Sequence, residues 1–214
     1  MLDRLEDAIN SAKGKVKNPL IPPHWRASKD RWTITGWRED DIQFNRHKII
    51  DEIEKIELEL YDDLINHKNT IPRPTYLTNV DNIITNIGLK NSAGLDTGDH
   101  TNSNTHSSLG SDATTPAIGD TDLTTEFTGG TPTYARLAFD TDGQRKTVNQ
   151  TAKYGMLWDD ADIDVTPAIS VKESGVNWHV SDSSKIHSHV TFTTFTFDAG
   201  DLFVIQINEL QANA

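Results

Sequence analysis

The run Val190-Thr191-Phe192-Thr193-Thr194-Phe195-Thr196-Phe197 constrains the fold more than any other part of the chain. Large apolar residues alternate with threonine, so one side faces a core and the other faces out. β-branched and aromatic residues at a period of two specify a strand. The doubled Thr193-Thr194 breaks the period once, and one extra residue on one strand is the signature of a bulge. Asp198-Ala199-Gly200-Asp201 then reads as a turn, and Leu202–Leu210 as the next strand. Further strand-like runs are Tyr134–Phe139, Ala168–Val171, Val176–Val180 and Ile186–Phe197. Short strands separated by turn residues predict an antiparallel β-sandwich over residues 79–214. Ile83, Ile84 and Ile87 continue the β pattern toward its start, and residues 96–115 read as a polar loop or hairpin.

Residues 1–78 differ in composition and predict a helical and extended arm. Leu2, Leu5, Ile9 and Ala12 form one helical face. Pro19, Pro22 and Pro23 then force an extended stretch, in which Trp25, Trp32 and Trp37 follow. These three need burial, against a neighbouring subunit or against this chain's own elements. Residues 39–67 carry Ile42, Ile49, Ile53, Ile56 and Leu60 at heptad core positions, with Arg46 interrupting. Isoleucine at both core positions favours three or four strands, so these five residues are candidates for an oligomerising stalk. The alternative is a single amphipathic helix lying on the chain's own β domain. Ile71-Pro72-Arg73-Pro74 closes the segment as a stiff joint.

Only 35% of the 214 residues are hydrophobic, so the chain is loop-rich or buries surface against other copies. The net charge of −12 argues against nucleic acid as a partner. Cysteine is absent, which removes disulfides, zinc–thiolate sites and thiol nucleophiles. No apolar run is long enough to insert in a membrane, and the first residues lack a secretory pattern. Synthesis in the cytoplasm is the expectation.

The segment Gly110-Ser-Asp-Ala-Thr-Thr115-Pro116-Ala117-Ile-Gly119-Asp120-Thr121-Asp-Leu123 resembles a "GTGTTAPAVGDTAL"-type run in tail-fibre and baseplate-associated proteins of tailed viruses of bacteria and archaea. In those proteins a Glu and then an Arg follow, places that Glu126 and Arg136 fill here. Val190–Phe197, Gly200 and Ile207-Asn208-Glu209-Leu210 are similar to the family's closing strands. The chain departs from the pattern at Gly110–Ala113 and lacks a Gly-Leu-Phe after Glu209. The match spans about residues 80–210 and consists of turn and strand residues, with no catalytic signature. It implies a β-sandwich virion protein and does not distinguish a fibre, a baseplate or a capsid turret. With the polar composition and the isoleucine heptads, the expectation is a homo-oligomer in a tail fibre or baseplate, a trimer; the alternative is a capsid turret or decoration protein, a pentamer if a turret. The expected partners are other virion proteins and a host surface glycan or receptor.

Candidate chemical sites are few. His187 and His189 fall on one strand face two residues apart, and an axial transition metal in a trimer is one use for them. This arrangement resembles His-x-His clusters in some viral fibre tips, which hold iron; two exposed strand histidines are the plainer reading. Asp160, Asp162 and Asp164 alternate as calcium ligands do, but Val165 stands where an EF-hand needs Gly. A solvated acidic turn is the plainer reading here too. Trp158 and Trp178 suit sugar stacking or core burial. The sequence contains no Gly-x-Ser-x-Gly elbow, His-Glu-x-x-His or phosphate loop, so the expectation is a protein that is not an enzyme; a glycan-degrading tail enzyme, with two carboxylates across a sugar cleft, is the less favoured alternative.

Overall fold

The computed structural model describes residues 31–42, 74–98, 103–139, 143–148, 151–181 and 185–210. Strands in chain order are β1 (Arg31–Trp37), β2 (Tyr76–Asp81), β3 (Ile83–Ile84), β4 (His106–Gly110), β5 (Leu137–Ala138), β6 (Gly143–Val148), β7 (Thr151–Trp158), β8 (Ile169–Asn177), β9 (Ile186–Phe197) and β10 (Leu202–Leu210). One helical turn, α1 (Glu39–Ile42), follows β1, and helix α2 (Asn86–Thr97) follows β3. The strands form two five-stranded sheets, in the orders β2-β1-β10-β7-β6 and β3-β9-β8-β4-β5. Every pairing is antiparallel.

The core lies between the sheets. Trp32, Ile34, Met156, Trp158, Phe203 and Ile205 from the first sheet meet Leu109, Val171, Val176, Val190, Phe195 and Phe197 from the second. Phe195 stacks on Phe203 at 5.0 Å between ring centroids, a cross-sheet aromatic contact. β10 is buried on both faces, because Leu202 and Val204 on its outer side are as inaccessible as Phe203 and Ile205 on its inner side.

The register of β8 against β9 shifts between Val171↔Phe195 and Glu173↔Thr191, which places the bulge at the doubled threonine. The Tyr76 hydroxyl reaches over from β2 to donate to the Thr193 carbonyl at this break. A second shift, between Val176↔Ser188 and Asn177↔Ile186, leaves His187 as the extra residue.

Several expectations change. Residues 31–37 belong to the sandwich, because β1 lies between β2 and β10 in the first sheet. Trp32 and Trp37 are therefore buried in this chain's own fold, Trp32 in the central core, and not on an extended arm. Trp25 lies outside the described residues. Ile42 is fully buried at the end of α1, whereas Ile49, Ile53, Ile56 and Leu60 lie outside the described residues. The run Ala168–Val171 and the start of Val176–Val180 merge into one strand, β8, which ends at Asn177. Tyr134–Phe139 contributes only the two-residue β5. Ile87 and Gly88 belong to α2 and not to a strand. A side chain at Gly88 would place its Cβ 2.2 Å from the His187 carbonyl oxygen, so glycine lets α2 lie directly on β9.

Candidate functional site

The segment that carries the family resemblance leaves β4 at Gly110 and returns beside it at Glu126. The two residues form an antiparallel bridge, flanked by Ser111 N donating to Thr125 O at 2.9 Å and Phe127 N donating to Leu109 O at 3.1 Å. Residues 111–126 thus make a closed excursion over the outer face of the second sheet. Inside it, Asp120 folds a tight turn: its Oδ2 accepts from Ala117 N at 2.8 Å, and its own N donates to Ala117 O at 3.0 Å. Asn86 N, at the start of α2, donates to Ile118 O at 2.7 Å.

Beneath the excursion lies Glu173 of β8, wholly inaccessible to solvent. Its carboxylate accepts from Thr125 N at 2.7 Å, Thr124 N at 3.0 Å and Asp112 N at 3.3 Å. Its Oε2 also lies 3.0 Å from His189 Nε2. The other ring nitrogen, Nδ1, lies 2.8 Å from Asp120 Oδ2. Facing a carboxylate with each nitrogen requires two N–H donors, which is the imidazolium form. Burial alone lowers the proton affinity of His189, but the bonds and charges of Glu173 and Asp120 outweigh it and hold the pKa above its ordinary value. Gly110 makes room for the cluster, since a Cβ there would fall 2.4 Å from Glu173 Oε1.

A second cluster closes the end of the excursion. Arg136 donates to Glu126 through Nε at 2.8 Å and Nη2 at 2.6 Å, and Nη2 also lies 2.8 Å from Asp122 Oδ1. Its Nη1 donates to the His179 carbonyl at 3.2 Å, tying the cluster to the β8–β9 connection. The Tyr134 hydroxyl donates to Glu126 at 3.1 Å and accepts from Leu109 N at 2.9 Å. Its ring stacks on Trp158 with centroids 5.9 Å apart, so the charged cluster rests on the apolar core. Burial pushes the Asp122 carboxyl up to about 6; Arg136 works against this, and the Glu126 charge adds to it. Burial also raises the Tyr134 phenol well above its usual range.

The expected site residues fare differently. His187 and His189 are both buried, which replaces the picture of two exposed strand histidines. Both nitrogens of His189 are engaged by carboxylates, so neither is an open ligand position. His187 O accepts from Thr85 N at 3.0 Å. Among the described residues, no group of three or more His, Asp or Glu side chains is arranged to hold a metal ion. The aspartates of 159–164 are used by their own turn and its neighbours. Asp162 accepts from Asp159 N, Asp164 from Thr131 N and Thr166 N, and Asp160 from Gly200 N. Trp158 is fully buried in the core, and Trp178 is half-buried.

Glu173 is the residue that sequence reasoning missed. No local signal marked it, because Lys172-Glu173-Ser174-Gly175 reads as an exposed turn between two strand-like runs. Glu126 and Arg136, singled out through the resemblance, are direct partners. Comparison with known protein families, with curated proteins and with solved structures finds no match to this chain.

Proposed function

We propose that this chain is a structural virion protein of a tailed virus. It would be a homo-oligomeric component of a tail fibre or baseplate that anchors neighbouring subunits or contributes to host attachment. One observation carries the reading. Asp120, Glu126 and Arg136, the charged residues at matching places of the tail-protein pattern, each close an ion pair that pins the 111–126 excursion to the sandwich. A polar loop held rigidly on paired strands is the usual architecture of a recognition or docking surface. The acidic and basic groups beneath it are directed at one another and at backbone N–H groups, which suits scaffolding. On this reading the chain binds and assembles and does not catalyse.

The test is to quantify the chain in purified virus particles by mass spectrometry, alongside the mass of the purified recombinant protein in solution. A tail component appears in particles at fixed stoichiometry and sediments as a trimer. A five-fold mass moves the assignment to a capsid turret. Absence from particles overturns it.

A further inference from the structure

The 111–126 excursion is held down by charge and backbone hydrogen bonds, with little apolar burial. Among residues 111–126, all of them described, Leu123 is the only one with a buried side chain. Four carboxylates gather beneath: Asp120, Asp122 and Glu126 from the excursion itself, and Glu173 from β8. Two cations face them, His189 from β9 and Arg136 from the segment after the excursion.

β3 sets Ile83 beside His189, and β4 sets Gly110 beside Glu173. Tyr134 brings its hydroxyl to Glu126. Lys172 of β8 acts on the Asp112 carboxylate, and His187 stands two residues along β9.

With every group ionised, four negative charges share two positive ones. When His189 loses its proton, one positive charge is left for four. A neutral imidazole also has a single N–H, so it can serve Asp120 or Glu173 but not both. Glu173 is closed to solvent, whereas the Asp120 side chain is 27% exposed and can turn to water, so the remaining N–H stays with Glu173. The contact that fails is therefore His189–Asp120, which ties the Ala117–Asp120 turn to the sheet, while the ends of the excursion stay bonded to Glu173.

We propose that the Ala117–Asp120 turn of the excursion is a proton-dependent flap. It is clamped to the second sheet while His189 carries its proton, and it lifts from that face as the cluster deprotonates. The sign follows from linkage. His189 and Asp122 both hold protons more tightly in the clamped form than in an open one, so acid favours closure and rising pH opposes it. The two titrations belong to the cluster as a whole.

The test is amide hydrogen exchange on the full chain, followed by NMR and corrected for the intrinsic pH dependence of exchange. The amide of Asn86, which donates to Ile118 O, and that of Ala117, which donates to Asp120 Oδ2, report the clamp; those of Val204 and Ile205 in β10 are the control. From about pH 6 to about pH 9 the clamp amides are expected to lose about tenfold in protection, the equivalent of one pKa unit of coupling. The β10 amides should stay unchanged. Asp120→Asn, which removes one of the two carboxylates from His189, should flatten the dependence. If that variant does not fold, the titration of the His189 ring followed by NMR in the parent decides, because its midpoint should coincide with the loss of protection. Protection that is flat with pH, an equal loss in β10, full dependence in the folded variant, or a His189 midpoint that differs from that of the amides overturns the proposal.

Discussion

Arg136 grips Glu126 with two parallel contacts, Nε to Oε1 at 2.8 Å and Nη2 to Oε2 at 2.6 Å, and its side chain is almost fully buried. A planar fork on a planar carboxylate fixes direction as well as distance. Removing the guanidinium strands Glu126 and Asp122 with like charges side by side. Arg136→Met should cost about 3–5 kcal/mol in urea unfolding, the usual penalty for breaking a buried pair. Arg136→Lys keeps the charge but not the fork, and should fall between the variant and the parent. The double variant R136M/E126Q should recover part of the loss, because no charge is then left behind.

Glu173 collects three backbone N–H groups from the excursion and one imidazole. Glu173→Ala leaves those donors without an acceptor in a site closed to water. The expected cost is about 3 kcal/mol or more, read as a lower midpoint in chemical denaturation. It should come with loss of protection at the Thr124 and Thr125 amides.

Two glycines give an internal contrast. Gly88→Ala sets a methyl group against the backbone oxygen of His187, which cannot step aside as a side-chain end could. About 1–3 kcal/mol of destabilisation is expected, as for other overpacked sites. Gly119→Ala meets nothing within 4 Å and should be within about 0.5 kcal/mol of the parent. Thermal unfolding of both proteins checks the pair.

Asp122 gives the fold a measurable pH slope. Its carboxyl titrates near 6 in the folded chain, above its ordinary value of 3.8, chiefly because burial penalises the charge. The folded state therefore binds this proton more tightly than the unfolded state. Its contribution is greatest below the unfolded value and is lost as pH rises from about 4 to about 6. Allowing for its partial contact with water, the change is about 1 kcal/mol. Denaturant midpoints across that window should fall for the parent protein, and Asp122→Asn should remove this part of the slope.

What could be read from the sequence was whatever depends on local period. Val190–Phe197 specified its strand, its buried face and the place of its bulge, because alternation and its single interruption lie within eight residues. β1 was hidden. Its partner β10 is about 170 residues away, and three nearby prolines and three tryptophans suggested an arm. α2 was hidden because Asn86–Thr97 contains Gly88, Ser92 and Gly94, and its position depends on contact with β9. At the site, the resemblance marked Glu126 and Arg136, but nothing local marked Glu173. A buried glutamate becomes tolerable only when Asp112, Thr124, Thr125 and His189 arrive from other parts of the chain.

The proposed virion subunit must assemble with its own copies, and its mass in solution reads that property. Sedimentation equilibrium of the full-length protein at micromolar concentration should return three times the 23.9 kDa chain mass. A stable species of one chain mass at every concentration would rule out a self-assembling subunit.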